Sequence, residues 1–186
     1  MQKPFLKYPR NQSGFTLVEL MMAMLVIMVG LVAVAQLVPL ALSLDAANRQ
    51  DSTALVITQR VLGQMLDLPL ATVTCSSVTV PACPDAQAAA WSLGDPTNQG
   101  QLVGSAVVVA NNRPLINFGV APQPGYSFNY LDPNDPSHVT YDVRWAVVTL
   151  VNASGVVTGK RFVLGARRLG GNQPLLPITL DVMVEK

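Results

Sequence analysis

The chain has 186 residues, an ordinary length for one domain. Half of its residues are hydrophobic, only 12% are charged and the net charge is +1, a balance that excludes a disordered chain and argues against a general nucleic-acid binder. Fourteen prolines and 13 glycines exclude an all-helical bundle, and one histidine with two cysteines excludes a zinc cage built from His and Cys alone.

The charge is unevenly placed. Lys3, Lys7 and Arg10 lie in the first ten residues with no acid among them. From Leu20 to Leu44 there is no charged residue at all. A helix over that run is roughly 37 Å long, enough to cross about 30 Å of hydrocarbon. A core helix rarely stays apolar on every side for so long. A cleaved secretory signal has a shorter apolar stretch and a small-x-small cleavage site. The run therefore reads as a membrane helix, with its basic flank in the cytoplasm and the rest of the chain exported. Its apolar character begins at Phe15, so Glu19 is the one ionisable side chain inside it. A carboxylate in lipid is expensive and calls for a partner. No Lys or Arg lies in the helix to serve. A cut between Gly14 and Phe15 would create an α-amino group four residues from Glu19, in the same chain or a neighbour.

The run Ser13-Gly14-Phe15-Thr16-Leu17-Val18-Glu19 resembles the prepilin signal of type IV pilins and type II secretion pseudopilins. The resemblance implies that a prepilin peptidase cuts after Gly14 on the cytoplasmic side and N-methylates Phe15. It also implies that Glu19 pairs with the N-terminal amine of an adjacent subunit and sets register during assembly. Removing Lys3, Lys7 and Arg10 leaves nine basic residues against eleven acidic ones, a net charge of −2 before the termini are counted. The domains expected are a basic leader over 1–14, a membrane and filament-core helix over 15–44, an amphipathic continuation over 45–68, and a β-rich head over 69–186.

Leu55, Val61, Leu62, Met65 and Leu66 mark the apolar side of the continuation, between polar positions such as Arg49, Asp51, Gln59 and Arg60. Asp67-Leu68-Pro69 supplies the stop. Gly30 and Pro39 are sites for a bend. Beyond Pro69 the pattern changes to strands and turns. Candidate strands cover 71–80, 102–110, 115–120 and 126–131, with irregular chain or a short helix near Ala86 to Trp91. Val139, Tyr141, Val143, Trp145 and Val147 share one strand face, and Asn152-Ala153-Ser154-Gly155 turns the chain into a return strand over 156–164. A last strand alternates from Ile178 to Val184. The fold class is α+β and pilin-like, a long N-terminal helix packed on one antiparallel sheet. The hairpin with Tyr141-Asp142-Val143-Arg144-Trp145 and Lys160-Arg161-Phe162 is similar to the sheet of a V-type minor pilin.

Cys75 and Cys83, in an exported segment, are expected to close a small disulfide loop, the alternative being two free thiols. Asp132, Asn134 and Asp135 are a weak calcium candidate, since Asp/Asn/Pro clusters are usually turns. Arg144, Lys160, Arg161, Arg167 and Arg168 form the one basic concentration, read as a solvated sheet face, or as a DNA contact if a pilus serves uptake. His138 reads as a loop residue, and no catalytic constellation accompanies it. No enzymatic activity, resident metal or cofactor is expected. The leading reading is a minor pilin for assembly, priming or the tip of a type IV pilus, with roles in adhesion, motility or DNA uptake. The alternatives are a minor pseudopilin of type II secretion and a membrane-anchored binding domain. Expected partners are the prepilin peptidase, other pilin or pseudopilin subunits, the inner-membrane assembly platform, and membrane lipid before assembly.

Overall fold

The computed structural model describes residues 14–80, 82–86, 89–131, 139–170 and 177–185. The chain divides into two compact units between Ala46 and Ala47. Helix α1 covers Leu17–Asp67 and passes Pro39 without a break in its assignment. In the first unit the apolar side chains of α1 from Leu17 to Leu44 are exposed on every side. That segment is long and apolar enough to cross a membrane.

In the second unit α1 supplies Ala54, Ile57, Thr58, Val61, Leu62 and Met65 to the core. Their spacing of three and four is one helical stripe. Leu55, expected on that stripe, is on the outer side at 36% exposure, and Ala54 takes the inward place. Short strands β1 (Thr74–Cys75) and β2 (Trp91–Ser92) pair with each other. The strands β3 (Leu102–Gly104), β4 (Val107–Ala110), β5 (Arg113–Ile116), β6 (Ser127–Leu131), β7 (Thr140–Val151), β8 (Val157–Leu169) and β9 (Ile178–Glu185) follow. The main sheet has five antiparallel strands in the order β3-β7-β8-β9, with β6 also on β7. β6 takes the Thr140–Arg144 stretch of β7 and β3 takes Ala146–Val148, so both share one edge. β4 and β5 form a separate hairpin.

The β7–β8 hairpin is the one expected from the alternation, and its turn lies at residues 152–155. The Asn152 side chain accepts hydrogen bonds from the Ser154 and Val156 amides, which fixes that turn. Val139, Tyr141, Val143, Trp145 and Val147 do face the same core as the helix stripe. The opposite face is also covered, because Ile116 and Phe118 pack on Ala146 and Val163.

Three expectations are corrected. The single strand over 102–110 is two strands in different sheets. Gly104 breaks it with φ of 126°, where a Cβ would stand 2.7 Å from the Trp145 carbonyl oxygen. The strand over 71–80 shrinks to Thr74–Cys75, because Ser76 turns the chain and its amide and hydroxyl both bond Thr79 Oγ1. The one sheet expected is one five-stranded sheet with two two-stranded ones beside it.

Candidate functional site

The residues singled out at the N-terminus lie at the start of α1. Gly14, Phe15 and Thr16 are non-helical, and Phe15 is 85% exposed. Glu19 is the acidic residue of the first helical turn. A carboxylate there is favoured by the unpaired amides and partial positive charge of a helix N-terminus. The Glu19 amide donates to Thr16 Oγ1 at 3.3 Å. No Lys or Arg occurs between Gly14 and Leu44, so a cation for Glu19 must come from outside this apolar stretch or from a new chain terminus.

Cys75 and Cys83 form a disulfide, with Cα atoms 5.5 Å apart. The loop between them presents Val78 and Val80 to solvent. Just beyond it, Asp85 accepts from Arg60 at 2.9 Å and from Gln64 at 2.7 Å, tying the disulfide segment to α1. The calcium candidates Asp132, Asn134 and Asp135, and His138, lie outside the described residues. Among the described residues no group of three His, Cys, Asp or Glu side chains could hold a metal.

The basic concentration is only in part the solvated face expected: Arg161 is exposed, whereas Arg144 and Lys160 are buried. Arg144 is buried and donates through Nε and Nη2 to Asp142, at 3.0 and 2.7 Å. Its guanidinium and that of Arg167 lie 5.0 and 4.9 Å from the Phe118 ring centre. Arg167 also reaches Asp142 at 3.4 Å. Arg161 pairs with Asp181 at 2.7 Å, which holds the Asp181 carboxyl below its usual range. Arg168 stands opposite Tyr141 in the β7–β8 register. Lys160 points to the sheet face opposite Arg144, Arg161 and Arg167, beside Met65, Leu68, Leu93 and Phe162. Its ammonium donates to the Thr72 carbonyl at 2.6 Å, and burial pulls its pKa down to about 8, opposed by the charge of Asp95. Most of these cations neutralise or cap the head's own groups. Alternation alone gave no sign of this, although Asp142 and Arg144 at i and i+2 on one strand face were a signal for the pair.

Residues 9–35 match the family described as the prokaryotic N-terminal methylation motif. That motif is the signature of type IV pilins and pseudopilins, and its range takes in Gly14, Phe15 and Glu19. In proteins that carry it, the motif goes with processing by a prepilin peptidase and assembly with other pilin-type subunits. The exposed apolar helix that follows fits anchoring in a membrane. No curated protein and no solved structure matched the chain.

Proposed function

We propose that the protein is a minor pilin, a structural subunit built into a type IV pilus. The observation that carries this reading is the methylation motif over residues 9–35, which overlaps the start of a helix whose apolar side chains from Leu17 to Leu44 are exposed. In this reading the leader 1–14 is removed after Gly14 and the amine of Phe15 is methylated. Residues 15–44 hold the precursor in the inner membrane with the head in the periplasm, and later exchange lipid for neighbouring helices. Either environment covers the apolar surface, which water would not tolerate. Glu19 has no Lys or Arg in the apolar stretch 15–44 around it, so in this reading it pairs with the processed amine of a neighbouring subunit and sets register. Residues 45–68 back the head at 69–186. The choice of a pilus over a secretion pseudopilus rests on the sequence resemblance of Tyr141-Asp142-Val143-Arg144-Trp145 and Lys160-Arg161-Phe162 to a V-type minor pilin.

The test is a comparison of sheared surface filaments with the membrane fraction in cells expressing wild type or Glu19→Ala. Wild type is expected in the filament fraction, and the variant is expected to stay inserted in the membrane. Equal amounts of both in filaments would remove the role given to Glu19. Absence of the wild type from filaments, with loss of protein secretion on deletion, would replace the pilus by a secretion pseudopilus.

A further inference from the structure

Thr16 accepts a pair of bonds that the motif itself does not explain. Its carbonyl accepts the Leu20 amide at 3.2 Å, and its hydroxyl oxygen accepts the Glu19 amide at 3.3 Å. A non-helical residue whose carbonyl takes the first helical bond, and whose side chain takes the amide of the third helical residue, is an N-cap. Glu19 occupies that third position, so Thr16-Leu17-Val18-Glu19 has the Thr-x-x-Glu spacing of a capping box. The helix accordingly starts at Leu17, and Gly14, Phe15 and Thr16 stay outside it.

This matters because the apolar run would favour a helix over Phe15 as well. The next upstream residue of N-cap type is Ser13. A helix capped there would take Gly14 and Phe15 as its first two residues and draw the bond between them into the first turn. Exposed, non-helical chain is where peptidases cut most readily. We propose that Thr16 is a positioning residue for leader removal. Its hydroxyl fixes the helix start at Leu17 and keeps the Gly14–Phe15 bond in non-helical chain. This rests on the proposed cleavage at that bond. The step is a hydrolysis: water adds to the Gly14 carbonyl carbon, the bond to the Phe15 nitrogen breaks, Gly14 leaves as a carboxylate, and both protons of the water end on the Phe15 nitrogen as an ammonium.

The test uses the full-length precursor in inner-membrane vesicles with a prepilin peptidase, followed by the loss of the leader on a gel. Thr16→Val keeps shape and removes the acceptor; Thr16→Ser and Thr16→Asn keep an acceptor on different shapes. Loss of a threonine cap shifts a helix-start equilibrium by roughly fivefold. Thr16→Val is therefore expected to be cut more slowly, by up to about fivefold, with the Cα chemical shifts of Phe15 and residue 16 moving towards helical values in micelles. Thr16→Ser and Thr16→Asn are expected within about twofold of wild type. Wild-type cutting of Thr16→Val, or slow cutting without the helical shift, would overturn the proposal. Slow cutting of Thr16→Ser or Thr16→Asn would also overturn it, because the peptidase would then be reading the side chain itself. A wild-type precursor that is never cut is a different result: it removes the cleavage reading and this inference together.

Discussion

Asp142→Ala isolates the electrostatics inside the head. Asp142 and Arg144 have side chains only 6% and 5% exposed, and their contact is 2.7 Å. Removing the carboxylate leaves the Arg144 guanidinium buried, with the Val120 carbonyl and the Phe118 ring as its remaining partners. Breaking a buried pair in this way costs about 3–5 kcal/mol. Arg167 adds little to that figure, because it is one-third exposed and solvent takes over its charge. For a chain of this length such a loss lowers the melting temperature by roughly 10 °C. The measurement is thermal unfolding of the full chain in detergent, followed by near-ultraviolet circular dichroism of the buried Trp91 and Trp145, which report the head core. The double variant Asp142→Leu with Arg144→Met replaces both charges by apolar groups. It is expected within about 1 kcal/mol of wild type, since buried pairs exchanged whole are often neutral. A single variant that melts with wild type, or a double variant as weak as the single one, would show that the pair does not hold the sheet as argued.

Lys160 is charged in the unfolded chain up to about pH 10.5 but in the folded head only to about pH 8. Between those values the unfolded state binds more protons, so stability rises with pH. The gain, discounted for partial solvent access, is about 1–2 kcal/mol. Lys160→Met is expected to lack this rise when both proteins are titrated with urea from pH 7.5 to 10.5, and parallel pH curves would count against the buried amine. The disulfide joins residues eight apart. Its loss in the double variant Cys75→Ser with Cys83→Ser is expected to lower stability by roughly 2.5 kcal/mol by the chain-entropy relation. Leader removal should be unchanged in that variant, and impaired processing on a gel would couple two sites that this account keeps separate. Gly104→Ala should destabilise the head by at least 1 kcal/mol in chemical denaturation, because its positive φ and the Trp145 carbonyl leave no room for a Cβ; an unchanged midpoint would contradict that packing.

Periodicity made the helix beyond Asp51 and the β7–β8–β9 strands legible, because each has a face against the shared core and so repeats at 3.6 or 2, while the uninterrupted apolar run marked the first part of the helix. The helix ends at Asp67, next to the stop read from Asp67-Leu68-Pro69. The region between Pro69 and Ser127 was harder. Its strands are two to four residues long, too short for a period to show. Its conformation is set instead by a disulfide, by the Ser76–Thr79 hydrogen bonds and by Gly104. At the N-terminus the order of residue types was enough to mark Gly14, Phe15 and Glu19, because a lone carboxylate in an apolar run stands out. The capping bonds of Thr16 needed coordinates. The burial of Arg144 and Lys160 was not legible at all, since composition counts charges without saying which side of a sheet takes them.

The most direct test of the account is the intact mass and N-terminal sequence of the protein isolated from the membranes of cells that carry a prepilin peptidase. The account predicts a chain that lacks residues 1–14 and begins with Phe15, heavier by one methyl group at its amine. A protein that still begins at Met1 would leave Glu19 without its cation and contradict the assignment as a filament subunit.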